Sequence, residues 1–455
     1  MSVTQIKKKY LAYPKYKPSG IDWLGDIPED WKIKRLKYYF NYHVSGIWGD
    51  EENGDENDMI CIRVADFYFD RLGINTNNLT IRNIPVNQHS RILLKGDILL
   101  EKSGGGEKQP VGRAVRFNLD MKSVCSNFIE RLIPFNINES KYISYLLGTM
   151  YFETINTRSI KQTTGIQNLD LYLYFCEFVP FPSIETKQLI ASFLDKENKK
   201  IDLLIEKKQK LIELLKEKRA ELINQAVTKG LNPNTKLKQS GIAWLGDIPE
   251  KWEIKKLKYI STTRVSNVDK KSEDEINIKL CNYIDVYKNE IIQDNIEFMR
   301  ATATIAQVDK FNLRNNDVLI TKDSETSDDI GIPAYVLLSS TKDIVCGYHL
   351  AQITTNESLL LGKYLFRLFQ SMNYKNYFDI SSNGVTRFGL KTYAIINIPI
   401  LLPKIVDQQQ IVGFLDSETE KIGRAIEKIQ QQIEFIKEYR MALITNAVTG
   451  KIMIN

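Results

Sequence analysis

The chain carries one stretch of sequence twice, almost unchanged. Residues 19–38 read SGIDWLGDIPEDWKIKRLKY and residues 240–259 read SGIAWLGDIPEKWEIKKLKY, so the second copy begins 221 residues after the first and differs at only four positions. A repeat of this length indicates two structural units of one kind, and 455 residues are enough for two cores. We therefore predict two tandem repeats, at about 10–230 and 231–451.

The ends of the two repeats also match, whereas their centres do not. Residues 193–195 (FLD) recur at 414–416, and residues 224–228 (NQAVT) recur as TNAVT at 445–449. Between these echoes the two copies share an outline but few residues. A similar frame around dissimilar centres is what a molecule needs when it recognises two different targets with one scaffold.

Each repeat ends in a long segment with helical character. Residues 185–228 contain no Gly or Pro and are rich in Leu, Ile, Glu and Lys. A seven-residue spacing gives each segment an apolar stripe. The first stripe is Leu194, Ile201, Leu215 and Leu222, interrupted by Lys208 and accompanied by Leu204 and Leu211 at the complementary heptad position; the second is Leu415, Ile422, Ile429, Ile436 and Leu443. Flanking positions Ile205, Ile212, Ile426 and Ile433 broaden both stripes.

Helices this long need a packing partner along their length, and the other copy is the most economical one. We expect the two helices to pack antiparallel as a coiled coil. About 44 residues at ~1.5 Å per residue give a rod of roughly 65 Å. Two globular domains would then be separated by the helices and related by a pseudo-two-fold axis.

The centre of each repeat is predicted to be an α/β (α+β) domain with a curved or partly closed sheet. Runs rich in β-branched residues predict strands at 59–64, 91–94, 97–100, 111–117 and 128–133, and at 278–284, 318–321, 334–338 and 350–354. Amphipathic helices are predicted at 140–157 and 360–378. Residues 95–97 and 315–317 are matching turns.

The repeated box W-L-G-D-I-P-E-x-W has two readings. Its two Trp residues, separated by Gly and Pro, favour a hydrophobic clasp that fixes each domain to the long helices. The alternative is a direct contact with DNA or a methyltransferase.

Polar loops between the predicted strands are the candidates for DNA contact. Gln, Asn, Arg and Lys pair with base edges, and Ser and Thr hold phosphates. The candidates in the first repeat are Lys102, Ser103, Lys108, Lys161, Gln162, Thr163 and Gln167, and those in the second are Lys322, Ser324, Asn383, Thr386 and Arg387. Arg113, Arg116 and Lys161 are expected to contact phosphate rather than bases, because point charges favour affinity over specificity. For any one of them, an ordinary solvated loop residue is the competing reading.

Composition limits the chemistry open to the chain. A net charge of +6 is compatible with a nucleic-acid partner but does not require one. Five scattered cysteines without C-x-x-C, and three isolated histidines, disfavour disulfides and metal centres and favour the cytoplasm. Neither an Asn/Asp-Pro-Pro-aromatic box nor a Walker motif is present, and the Gly-rich run at 104–106 lacks the Gly-Lys-Ser/Thr ending of a P-loop. We therefore expect no catalytic residue and no metal in this chain.

Taken together, these motifs resemble type I restriction-enzyme specificity subunits. The resemblance rests on the repeated box, on helices that open with QQQIVGFLD (408–416) and KQLIASFLD (187–195), and on helices that close with R-x-x-L-I-x-x-A-V-T at 219–228 and 440–449. It covers essentially the whole chain.

The resemblance implies a division of labour along the sequence. After an N-terminal arm (1–20), residues 21–180 would form target-recognition domain 1, residues 181–230 the first spacer helix and residues 231–241 a linker. Residues 242–400 would form domain 2, and residues 401–455 the second spacer helix and C-terminus. Each domain would read one half of a bipartite, asymmetric site in double-stranded DNA.

The resemblance also implies partners. The spacer helices would set the distance between half-sites and dock two methyltransferase subunits, and restriction–translocase subunits would join them. S-adenosylmethionine, ATP and magnesium would belong to those partners. Two other hypotheses stay open on the residues alone: a coiled-coil adaptor with protein-binding ends, and a stand-alone DNA methylase or nuclease with an unrecognised site.

Overall fold

A computed structural model describes residues 10–68, 71–162, 165–269, 275–384 and 386–454. The chain divides into two compact units. The first consists of residues 1–209 together with 429–455, and the second of residues 210–428. Each unit therefore contains one variable domain and one half of each long helix.

The first unit is built from short strands around three helices. Its helices are α1 (Ser140–Phe152), α2 (Leu171–Cys176) and the first half of α3 (Ile184–Lys229). Its strands are β1 (Tyr16–Pro18), β2 (Asp26–Pro28), β3 (Lys32–Arg35), β4 (Phe40–Ser45), β5 (Asp58–Ile62), β6 (Phe67–Tyr68), β7 (Gly73–Ile74), β8 (Thr80–Asn83), β9 (Ile98–Glu101), β10 (Ser103–Gly105), β11 (Ala114–Arg116), β12 (Ser123–Cys125), β13 (Ile129–Pro134), β14 (Ile160–Gln162), β15 (Gln167–Leu169) and β16 (Phe178–Phe181).

The second unit repeats this plan. Its strands are β17 (Leu237–Gln239), β18 (Asp247–Pro249), β19 (Glu253–Lys256), β20 (Ser261–Val265), β21 (Ile276–Cys281), β22 (Ile291–Ile292), β23 (Met299–Ala303), β24 (Val318–Thr321), β25 (Asp323–Ser324), β26 (Pro333–Val336), β27 (Ile344–Cys346), β28 (Leu350–Thr355), β29 (Phe388–Gly389) and β30 (Pro399–Leu402). Its helices are α4 (Tyr283–Lys288), α5 (Ile305–Phe311), α6 (Gly362–Phe369), α7 (Met372–Ser381), α8 (Thr392–Ile396) and the first half of α9 (Ile405–Val448).

The main sheets of the two units correspond in four strands, and the second unit adds a fifth, β22, at one edge. In the first unit the order is β11-β9-β13-β4, and in the second it is β20-β28-β24-β26-β22. The central antiparallel pair is β9 with β13 in one and β24 with β28 in the other. Each unit adds a three-stranded sheet with one parallel pair, β12 with β5 or β27 with β21. The predicted α/β (α+β) class is confirmed.

Most of the predicted elements are present, with three corrections. Residues 91–94 form no strand: a 3-10 turn occupies Val86–Arg91 and leads directly to the turn before β9. The helix predicted to 157 ends at Phe152, because Thr154 adopts a left-handed backbone. The helix predicted over 360–378 is broken into α6 and α7 at Ser371, whose extended backbone interrupts it.

Antiparallel packing of the two long helices is confirmed inside the first unit. Arg440 donates to Asp202 at 2.5 Å, and Lys208, which interrupts the predicted stripe, donates to Gln432 at 2.6 Å. Residues further along α3 therefore face residues earlier in α9, as antiparallel helices require. The interruption by a lysine is accommodated because its ammonium finds an amide oxygen on the facing helix.

The residues of the predicted stripe are buried to different degrees, and none of them is fully exposed. Leu194, Ile201, Leu415, Ile422 and Leu443 are buried, whereas Leu215, Leu222, Ile429 and Ile436 are only half-buried. The complementary positions Leu204 and Leu211 are exposed, and the flanking residues Ile205, Ile212 and Ile433 are buried instead. The helices are thus packed by a broader, globular face rather than by a strict coiled-coil seam.

The buried Trp residues support the clasp reading of the repeated box. In the first unit Trp31 belongs to the main core with Ala447 and Val448 of α9. In the second unit Trp252 belongs to the core with Ala226 and Val227 of α3. The indole in each unit therefore packs on the last turns of a long helix, where the A-V-T echo lies.

Candidate nucleic-acid interface

In the first unit, two loops that are about sixty residues apart in sequence meet in one small sheet. Strand β15 lies between β10 and β14. The register places Ser103 opposite Asn168, and Ser103 donates a hydrogen bond to the Asn168 carboxamide oxygen at 2.5 Å. Lys161 lies opposite Asn168 from the other side. The sequence identified both loops as candidates but did not predict that they pair.

The second unit brings its two candidate loops together in the same way. Strand β25 pairs with β29, with Ser324 opposite Phe388. Asn383 forms an isolated bridge with Gly389, through two backbone hydrogen bonds of 3.0 and 3.1 Å. The equivalent loops therefore form one surface in each domain, although their side chains differ.

A carboxylate positions a lysine at the base of each surface, buried in the first unit and half-buried in the second. In the first unit Glu130 is buried; one oxygen lies 2.9 Å from Lys102 Nζ and the other 2.7 Å from His43 Nδ1. In the second unit Asp323 pairs with Lys322 and lies 3.2 Å from His349 Nδ1. In each unit one carboxylate thus contacts both a lysine and a histidine ring.

The accessible candidates are those best placed for a ligand. Lys108, Lys161, Gln162, Asn383, Thr386 and Arg387 are exposed, and Lys102, Ser103 and Ser324 are half-buried. Lys161 forms an ion pair with Asp170 at 2.5 Å, and this hydrogen bond lowers the pKa of the Asp170 carboxyl. Arg387 reaches the His349 ring at 3.1 Å. Thr163 lies outside the described residues.

Three candidates are positioned differently from what the sequence suggested. Arg113 makes a two-pronged contact with the buried carboxylate of Glu101, at 2.9 and 3.2 Å, so its guanidinium is committed to the interior rather than to a phosphate. Lys322 is buried beside Asp323 and the Tyr348 ring. Gln167 is also buried, and its side-chain oxygen accepts from the Val111 amide at 3.2 Å. DNA contact by these residues stays a prediction that this geometry does not favour.

Aromatic side chains also lie beside the loops. The sequence did not identify them as candidates for DNA contact, because only polar residues were considered. A groove of about 600 Å³ in the first unit is lined by Trp48, Phe128 and Gln109 as well as Ser103. The Arg82 guanidinium lies 4.8 Å from the Trp48 ring. Exposed rings next to hydrogen-bonding loops offer apolar contact to base edges such as the thymine methyl group. Their position immediately beside the candidate loops was the available signal.

The second unit has its own aromatic set. Tyr283 and Tyr287 of α4 stack with ring centroids 5.6 Å apart, and the Tyr283 hydroxyl lies 3.2 Å from Ser324 Oγ. Partial burial raises the pKa of Tyr283, so its hydroxyl is neutral and able to donate. The two units thus present different rings at the corresponding edge.

Across the described ranges, no group of three or more His, Cys, Asp or Glu side chains is arranged to hold a metal ion. No helix in the described part of the chain is long and apolar enough to cross a membrane.

Comparison with known proteins agrees with the repeat. A family model for the type I restriction modification DNA specificity domain matches residues 28–214 and again 249–435, with the same displacement of 221 residues. The MjaVIII specificity subunit of Methanocaldococcus jannaschii is 23% identical over 438 residues, which cover 94% of each chain. The EcoKI specificity subunit of Escherichia coli is 23% identical over 215 residues, 46% of this chain and 44% of that one.

Solved structures share the fold. The HsdS subunit from Thermoanaerobacter tengcongensis matches with a TM-score of 0.50 at 14% identity, over 94% of this chain and 98% of that one. A chain from a structure of type I R-M complex assembly and conformational transition matches with a TM-score of 0.60 at 15% identity, over 93% and 98%. Because the family model covers most of the chain in two tandem matches, the chain belongs to the type I restriction–modification DNA specificity family.

Proposed function

We propose that this chain is the DNA-reading subunit of a type I restriction–modification complex, with each unit reading one half of a bipartite, asymmetric site. One observation carries the proposal: the two units place equivalent loop pairs on equivalent strands, β10 with β15 and β25 with β29, but equip them with different side chains. Two domains with the same strands but different loop side chains fit the recognition of two half-sites with different sequences.

The long helices are the proposed spacer and docking surface. Their outward positions include leucines, such as Leu204 and Leu211, that are about 45% exposed. Apolar residues in that position favour a protein partner. We propose two methyltransferase subunits there, joined by restriction–translocase subunits, with S-adenosylmethionine, ATP and magnesium bound by the partners and not by this chain.

Domain exchange tests the proposal. The full chain is co-expressed with its methyltransferase, and methylated adenines are mapped on random DNA. Replacing residues 21–180 with the corresponding domain of another family member should change one half-site and leave the other unchanged. If both half-sites change, or neither does, the division of reading between the units is wrong. Methylation by this chain without any partner would favour the stand-alone enzyme.

A second change tests the spacer separately. Insertion of four residues beside Lys208, with a compensating insertion beside Gln432, should lengthen the gap between half-sites and preserve both half-site sequences. Lys208 and Gln432 form a hydrogen bond between the helices, so the two insertions extend facing positions together. An unchanged gap would refute the role of the helices as a spacer. If the chain retains its protein partner but shows no DNA site preference at all, the adaptor hypothesis gains instead.

A further inference from the structure

A strip of exposed cations and tyrosines is present in both repeats. In the first repeat it consists of Arg35, Lys37 and Tyr38; the residues 221 positions later are Lys256, Lys258 and Tyr259. All six side chains are exposed. Packing does not constrain exposed positions, so retention of charge and ring at both places points to a shared ligand.

Two neighbouring exposed positions show that charge on this surface can change between the repeats. Asp30 corresponds to Lys251, and Lys32 corresponds to Glu253. All four are exposed, and both positions have reversed their charge between the repeats. Exposed positions of the box have therefore changed charge at two places, whereas the strip kept its cations and rings; the exposed acids Asp26/Asp247 and Glu29/Glu250 are retained as well.

A second tyrosine completes the strip in each unit. Tyr172 lies in α2 and Tyr393 lies in α8, again 221 residues apart, and they are 78% and 75% exposed. Each short helix is tied to the strip by an equivalent backbone hydrogen bond: Leu36 N to Glu177 O at 2.8 Å, and Leu257 N to Ile398 O at 3.0 Å. In the first unit Arg35, Lys37 and Tyr172 line one groove of about 370 Å³.

The strip is adjacent to the loops that are proposed to read bases. Tyr172 comes three residues after the end of β15, and Tyr393 comes four residues after the end of β29. His43, which shares the groove with Tyr172, shares the Glu130 carboxylate with Lys102 of the reading surface. The buried Glu130 carboxylate therefore connects the groove of the strip with the reading loop in the first unit.

We propose that this strip binds the sugar–phosphate backbone of DNA beside each half-site. Within the described residues none of Arg35, Lys37, Lys256 or Lys258 forms an ion pair, so their charges are available to phosphate. Tyrosine hydroxyls also donate to phosphate oxygens. The sugar–phosphate backbone is the same in two half-sites of different sequence. This explains why the strip is alike in the two units whereas the loops differ. This inference rests on the proposed function.

The salt dependence of DNA binding tests the strip. Binding of a duplex of arbitrary sequence is measured with the full chain in complex with its methyltransferase, for R35A/K37A and for K256A/K258A. Each lost phosphate contact makes the slope of log K against log salt less steep by about 0.9, so each double variant should lose about 1.8. K32A/K251A is the matched control, because it also removes two exposed lysines but at positions that the repeats do not share.

The outcomes separate the alternatives. R35K should keep the wild-type slope, since the second repeat has lysine at that place. Equal slopes for R35A/K37A and the control would overturn the proposal, as would loss of methyltransferase co-purification with an unchanged slope, which would assign the strip to protein docking. Thermal melting excludes unfolding as a cause of any loss. Mapped methylation sites report on the proposed function independently: a changed slope with unchanged half-sites supports both, and a wild-type complex without site preference defeats the reading function alone.

Discussion

The two units bury an aspartate at the same place and give it different partners. Asp97 and Asp317 each follow the turn before the central strand, and each accepts from a backbone amide of that turn at 2.7–2.8 Å. In the first unit the side-chain partner is Arg131, at 2.7 Å. In the second unit the residue on the corresponding strand is Gln352, at 2.6 Å, and Thr354 also donates.

A second buried pair differs in the same direction. Lys187, at the start of α3, is buried and pairs with Glu139 at 2.7 Å. The equivalent residues are Gln408 and Leu360, and Gln408 bonds backbone groups of residues 359 and 361 instead. At these two places the second unit has a neutral amide where the first unit has a buried cation, while the frame stayed the same. The exposed cationic strip, by contrast, kept its chemistry, as we expect if it binds the DNA backbone.

The largest expected effect comes from breaking the buried ion pair of the first unit. Arg131→Leu leaves the Asp97 carboxylate buried without its cation and should cost about 3–5 kcal/mol. Gln352→Leu should cost about 1–3 kcal/mol, because Asp317 keeps the Thr354 hydroxyl and the Arg314 amide. Hydrogen exchange followed by mass spectrometry reports the stability of each unit separately. Arg158→Leu, at a half-exposed arginine of the first unit, is the control. Equal losses in the two units would contradict the comparison.

The next effect is a rescue. Lys187→Gln alone leaves Glu139 buried beside a neutral amide and should destabilise the first unit by about 3 kcal/mol. The double variant K187Q/E139L installs the residues of the second unit and should recover most of that loss, because a neutral core replaces a buried charge pair at little net cost. Hydrogen exchange in α1 and at the start of α3 measures both. A double variant no more stable than the single one would show that the two units are not interchangeable there.

The segments that the two repeats share were predicted well, because comparison of the two copies shows which residues are retained. The Trp box, the FLD echo and the long helices all lie in retained segments, and the FLD motif has a structural explanation. The Asp195 carboxylate accepts hydrogen bonds from Lys141 and from the Tyr145 hydroxyl, at 2.5 and 2.8 Å. The Asp416 carboxylate forms ion pairs with Lys363 and Arg367, at 2.6 and 2.9 Å. The aspartate ties each long helix to its domain, which explains why both copies keep it.

The candidate site was only partly predictable. Polar loop residues are visible in a sequence, but their accessibility depends on contacts with distant partners. Arg113 is held in the interior by its hydrogen bond to Glu101, and Gln167 by its hydrogen bond from the Val111 amide. Likewise, heptad counting could not place Leu204 outside and Ile205 inside, since packing of a broad face depends on which side of each helix its domain covers. Residue type alone does not contain that information.

A smaller effect should appear as pH dependence in the second unit. Burial raises the pKa of Asp317, against hydrogen bonds from Thr354 and Gln352 that oppose the rise. The folded state therefore binds the proton more tightly than the unfolded chain does. Stability from this group is present at low pH and is lost as pH rises from the unfolded pKa of about 3.9 to the raised folded pKa.

Asp317→Asn should flatten that part of the profile. The amide cannot ionise, so the free energy of unfolding of the second unit should fall less across this window than in the wild type. Urea unfolding at a series of pH values gives the measurement, and Asp328→Asn, at an exposed aspartate of the same unit, is the control. A profile as steep as that of the wild type would assign the pH dependence to other carboxyls.

The smallest expected effect concerns the reactivity of the cysteines in the two units and involves no change in stability. Cys61 and Cys125 of the first unit correspond to Cys281 and Cys346 of the second, and all four are buried. Burial raises the pKa of Cys61 to about 12 and raises that of the other three as well. Because the thiolate is the reactive form, these four should resist N-ethylmaleimide at neutral pH.

Cys176 is the exception, since it is half-buried and lines the groove beside Tyr172, and the second repeat has Asn397 in its place. Mass spectrometry should therefore find one labelled peptide, in the first unit only, and Cys176→Ser should abolish labelling. Label on Cys281 or Cys346 would show that the second core opens more readily than its packing implies. Slower labelling of Cys176 with DNA bound, but not with the methyltransferase alone, would place the nucleic acid over the cationic strip.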